Sequence, residues 1–137
     1  MSGEGERFAA AAEALVGTPF RFRGRDRKTG LDCVGVVLAA LADIGRKPAE
    51  LNGYAMRQTH PDQHIDVALA CGFELFEGTE LEPGDLLLVN PAPAQVHLLV
   101  FAGTRGFIHA HAGLGRVVRT PAPCPWSIAI IWRLAAD

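Results

Sequence analysis

The residue types best suited to chemistry in this chain are one cysteine and three histidines. Cys33 stands in "GLDCVGVV", after a glycine-containing basic loop and at the head of an apolar run. At a helix N-terminus the backbone amides and the dipole favour a thiolate. A cysteine in that place also packs well as a small hydrophobe. A thiol nucleophile needs a base within hydrogen-bond reach and a group that orients the base. The chain has five histidines. His60 and His64 flank a predicted helix in polar company and read as exposed surface imidazoles. His97, His109 and His111 lie in "VHLLVFAGTRGFIHAHAG", a predicted hairpin with Gly103 and Gly106 at its turn. Side chains alternate along a strand, so His97, Leu99 and Phe101 share a face, as do Phe107, His109 and His111. A turn of odd length sets His97 opposite His111 and diagonal to His109, whereas a two-residue turn throws the two sets apart. From spacing alone, a Cys–His site and three satisfied core imidazoles both stand. A third reading is a zinc hydrolase, with His97, His109 and His111 as ligands and one open position. That reading leaves Cys33 without a task.

The elements that must position these residues are legible from periodicity. Residues 5–16 carry Phe8, Ala12, Leu15 and Val16 at helical spacing, ended by "GTP". Residues 33–45 form a second apolar helix, with Asp32 as its N-cap and Gly45 at its end. "RKPAELNGYAMRQTHP" reads as a linker with short turns. Residues 61–70 form a third helix opened by Pro61. Beyond Gly72 come "FELF", "DLLLVN", "VHLLVFAG", "GFIHAHAG", "RVVRT" and "SIAIIWRL", short strand-like runs split by Gly and Pro. Helices first and strands later predict an α+β fold, with N-terminal helices on a C-terminal antiparallel sheet. One domain over residues 1–137 is expected.

Composition narrows the function classes. With 49% hydrophobic and 20% charged residues the chain can bury a core of its own. A net charge of −2 gives no overall attraction for nucleic acid. The three cysteines, Cys33, Cys71 and Cys124, are odd in number and widely spaced, which predicts reduced thiols. No apolar run reaches the roughly 18 residues of a membrane span. "MSGEGERFAAAAEALVG" reads as a helix rather than a signal peptide, so synthesis in the cytoplasm without a leader is expected. No metal or other cofactor is called for.

Three ordered motifs resemble the NlpC-type cell-wall cysteine peptidases. "GTPFRFRGRDRKTGLDCVGVVLAAL" is similar to their opening motif, "EPGDLLLV" to the second, and "VHLLVFAGTRGFIHA" to the third. The resemblance covers residues 17–42 and 82–112. The short length, the lack of a leader and the Asp-Cys-Val-Gly variant look most like the branch found with phage tails and gene-transfer agents. It implies a papain-like fold with Cys33 as nucleophile, His97 as general base and His109 orienting His97. It implies hydrolysis of peptidoglycan stem peptides, usually next to D-γ-glutamate and diaminopimelate, with phage-like tail proteins as partners and action at the cell wall. The backbone N–H of Cys33 would help hold the oxyanion. Phe20 stands where most members carry Tyr, and Val34 where Ser is usual. These two departures keep open a structural tail-tip subunit with weak catalysis.

Other residues have quieter readings. Asp32 is a helix cap that could also meet a substrate amine, and His111 is a rim residue that could touch substrate. The run Arg21, Arg23, Arg25, Arg27, Lys28 reads as a solvated edge, or as a basic lip for carboxylate-rich peptides. Asp85 is a turn residue. Trp126 and Trp132 are core residues, and Cys71 and Cys124 inert thiols.

Overall fold

The structure is a computed structural model that describes residues 3–46, 61–92 and 95–135. Helix α1 spans Gly3–Glu13 and buries Phe8, Ala9 and Ala12. A small ribbon of β1 (Arg25–Asp26) and β2 (Gly30–Leu31) leads into α2 (Cys33–Asp43). Helix α3 covers Pro61–Ala70. Six strands follow: β3 (Phe73–Leu75), β4 (Leu86–Asn90), β5 (His97–Phe101), β6 (Phe107–His111), β7 (Arg116–Thr120) and β8 (Ser127–Leu134). They form one antiparallel sheet in the order β3-β8-β4-β5-β6-β7. The α+β expectation holds. The linker reading of residues 46–61 falls almost wholly outside the described residues, as does His60.

Strand alternation divides the core in two. Leu86, Leu88, Leu98, Val100, Ile108, Ala110 and Val117 meet the helices, where Phe8, Leu15, Val36, Val37, Ala40 and Leu41 complete the main core. Leu87, Val89, Leu99 and Phe107 point the other way and form a second cluster, edged by Phe101, Cys124, Trp126 and Ile131. Both faces of the central strands are therefore covered, which explains why "LLLV" runs apolar without alternating. A register shift at Leu88/Val89 bends the β4–β8 pair.

Asp85 does more than close a turn. Its carboxylate, 1% exposed, accepts the backbone N–H of Glu82 at 2.9 Å. The same carboxylate takes Nε and Nη2 of Arg133, each at 2.9 Å. This two-pronged pair fixes the start of β4 to β8. The guanidinium also lies 3.8 Å from the Phe76 ring centroid.

Candidate active site

Cys33 opens α2 because Asp32 caps it: Asp32 Oδ1 accepts the N–H of Gly35 at 2.8 Å. The same oxygen takes Arg25 Nη1 at 2.7 Å, and Oδ2 takes the N–H of Arg23 at 3.1 Å. Both carboxylate oxygens are thus engaged, and Asp32 holds the basic loop against the helix start. Gly35 makes that fit possible, since a Cβ there would stand 2.3 Å from the carbonyl oxygen of Gly24. In the basic run, Arg25 pairs with Asp32 and Arg27 with Asp43. Val34, in the place where the family usually has Ser, is buried in the core at 3% exposure. Phe20 packs against that core.

The residue Cys33 is half-buried, but its sulfur is enclosed. Burial first, and the Asp32 carboxylate second, push its pKa from 9.0 to about 11. Backbone hydrogen bonds from Leu98 and Val34, and the nearby Arg25 charge, work in the opposite direction. The Leu98 amide reaches the sulfur because β5 and β6 pair only at Val100↔Ile108 and Phe101↔Phe107. Past those rungs the strands part, and the start of β5 is open toward α2.

His64, the fourth residue of α3, brings its Nε2 to 3.6 Å from Cys33 Sγ. It is 8% exposed, so the surface reading of this residue is corrected. The signal was present: His64, Val67, Ala68 and Cys71 repeat at i, i+3, i+4 and i+7, an apolar helix face that includes the ring. Among the described residues, the imidazole hydrogen-bonded to the thiol is that of His64, and no hydrogen bond joins the thiol to His97.

His97, His109 and His111 gather as the odd-turn condition requires. Residues 102–106, five in number, connect β5 to β6, so strand alternation puts His97, His109 and His111 on one face of the ribbon. Ring centroids lie 6.4 Å apart for His97 and His109, and 6.0 Å for His109 and His111. Trp126 stands over the group, 5.4 Å from His109 and 6.4 Å from His97, edge to face with both. This half-buried indole belongs to the histidine cluster rather than to the deep core, where Trp132 lies at 2% exposure. Burial, with the charges of His97 and His111, lowers the His109 pKa from 6.5 to about 4. Burial also lowers that of His97, with His111 adding to the effect.

The ring nitrogens do not converge on a common point. His109 Nε2 is 2.7 Å from Thr120 Oγ1, and His111 Nδ1 accepts the N–H of Leu114 at 3.0 Å. Among the described residues no three His, Cys, Asp or Glu side chains are arranged to hold a metal ion. The three-histidine zinc arrangement is therefore not formed. Cys71 is buried, with its pKa raised to about 11 by burial, and Cys124 donates toward the Trp126 carbonyl at 3.4 Å.

Comparison with known proteins fits this architecture. The family model described as NlpC/P60 family matches residues 17–130. No curated protein sequence matches the chain. Among solved structures, NlpC1 from Trichomonas vaginalis superposes with a TM-score of 0.74 at 20% identity, over 100% of this chain and 46% of that one. The chain thus spans about half the length of NlpC1. The P60 domain of an antigen from M. avium subspecies paratuberculosis gives 0.66 at 18% identity, over 97% of this chain and 96% of that one. The peptidoglycan hydrolase RipB from Mycobacterium tuberculosis gives 0.64 at 20%, over 97% of this chain and 65% of that one. The shared fold is the papain-like one of these domains.

Proposed function

The chain belongs to the NlpC/P60 family, and from that premise we propose that it is a cysteine endopeptidase acting on peptidoglycan stem peptides. The observation that carries the reading is the setting of Cys33. It lies on the first turn of a capped helix, with backbone amides directed at its sulfur and an imidazole at 3.6 Å. Sγ attacks the carbonyl carbon of the scissile bond. Backbone N–H groups at the start of α2 stabilise the oxyanion, each such donor being worth on the order of 10²–10³ in rate. The amine leaves, and water then opens the thioester. His97, oriented by His109, serves as the acid–base group, as the family motif assigns. The bond next to D-γ-glutamate and diaminopimelate is the expected target. Similarity in fold to RipB, a peptidoglycan hydrolase, supports the substrate class.

The phage-tail and gene-transfer-agent reading extends this proposal. A protein made in the cytoplasm would reach the wall on a phage-like particle and work there beside tail proteins. Mass spectrometry of purified stem peptides incubated with wild type or Cys33→Ala tests the chemistry. Cleavage by the wild type alone is expected, and equal inertness of the two would overturn the assignment. Absence of the protein from purified particles would remove the delivery part.

A further inference from the structure

We propose that Thr120 is a positioning residue of the same site: its hydroxyl oxygen accepts the His109 Nε2–H, which leaves the lone pair of Nδ1 for the ring N–H of His97. The inference rests on the reading of His97 as the acid–base group with His109 as its orienter. Two observations carry it. His109 Nε2 lies 2.7 Å from Thr120 Oγ1. His109 Nδ1 is buried and, among the described residues, has no hydrogen-bond partner. The register explains the first. In the β6–β7 pair Thr120 stands opposite Phe107, and Val118 opposite His109. Phe107 and His109 point to one face of the sheet, so Thr120 shares that face and meets the His109 ring on the diagonal. The backbone of Thr120 is held close at Gly106, where an added Cβ would stand 2.3 Å from the Thr120 carbonyl oxygen.

Strand β6 runs between β5, which carries His97, and β7, which carries Thr120. The His109 ring therefore has one nitrogen for each neighbour. Burial and the charges of His97 and His111 hold it neutral at neutral pH, with the Ala110 backbone opposing them. A neutral imidazole has one N–H and one lone pair. Nε2 is taken by Thr120, so Nδ1 is the nitrogen left for His97. To orient a histidine that works as a base, that nitrogen must accept a hydrogen bond. The hydrogen then belongs on Nε2, where the Thr120 hydroxyl receives it. The His97 and His109 ring centroids stand 6.4 Å apart, and catalytic contacts of this kind tighten when substrate binds. Trp126, edge to face with His109 at 5.4 Å, covers the ring, which is 1% exposed. Without the hydroxyl nothing fixes which nitrogen carries the hydrogen. A ring protonated on Nδ1 would turn a donor toward the donor of His97.

Nitrogen-15 spectra of the His109 ring, taken on the wild-type full chain at neutral pH, test the tautomer without a variant or a substrate. Nε2 should carry the hydrogen and Nδ1 should be bare. Thr120→Val keeps the side-chain shape and removes the hydroxyl. The hydrogen should then exchange between the two nitrogens, and kcat on stem peptides should fall about tenfold with KM unchanged. Thr120→Ser should restore both the single tautomer and the rate. A hydrogen on Nδ1 in the wild type would overturn the proposal. So would wild-type kcat in Thr120→Val, or an equal loss of kcat in Thr120→Val and Thr120→Ser, which would show that the side chain only packs. Stem peptides left intact by the wild type would sink the peptidase reading instead, with the ring spectra still deciding the Thr120 contact.

Discussion

Asp32 has two effects on the residue that follows it, and they can be separated. As a cap it satisfies the Gly35 amide, and as an anion it holds the Cys33 proton in place. Asp32→Asn keeps a cap acceptor and removes the charge, so the Cys33 pKa should fall below about 11. Alkylation at mildly alkaline pH should then speed up, as a pH–rate profile of the variant will show. Asp32→Ala should lose about 1–2 kcal/mol of stability in a denaturant titration. Cys33 and Asp32 were legible in sequence because a cap and the residue after it are local features. His64 was legible only through its helical spacing with Val67, Ala68 and Cys71, a signal that its polar neighbours in the chain masked. Trp126 was hidden for a related reason, since nothing near it in sequence announces the imidazoles it covers.

At the scale of elements, the hairpin of β5 and β6 sets the histidine geometry, and Gly106 shapes its turn. Gly106 has φ +91°, and a Cβ there would lie 2.3 Å from the Thr120 carbonyl oxygen. Gly106→Ala should therefore cost about 2–3 kcal/mol, read as a lower melting temperature, since strain and overlap act together. All six strands of the sheet were legible as short apolar runs between Gly and Pro. Their order was not, because β8 comes last in the chain yet enters between β3 and β4. Partner choice between distant strands leaves no local mark. The same holds for Arg133, whose role as the partner of buried Asp85 joins residues 48 positions apart. Arg133→Met should cost about 3 kcal/mol by leaving a buried carboxylate unpaired, and a thermal melt beside wild type measures it.

For the molecule as a whole, acid stability should follow the histidine cluster. A histidine held at about 4 when folded and near 6.5 when unfolded binds its proton preferentially in the unfolded chain. Stability is then full above pH 6.5 and is lost as pH falls from 6.5 toward 4. The span corresponds to about 3 kcal/mol for His109. Burial of His97 adds to it with the same sign. His109→Gln should flatten the fall in melting temperature across that window. The helices-then-sheet architecture was legible at this scale from the switch in period near Gly72.

The connection between β5 and β6 also constrains how descendants of this chain can drift. One residue added within 102–106 would turn His109 toward the helices and drive Ile108 out, exchanging polar and apolar cargo along the whole ribbon. Two added residues would restore both. Insertions and deletions inherited here should therefore come in even numbers. A single extra glycine after Thr104 should abolish function, and a Gly-Gly pair at the same point should be tolerated.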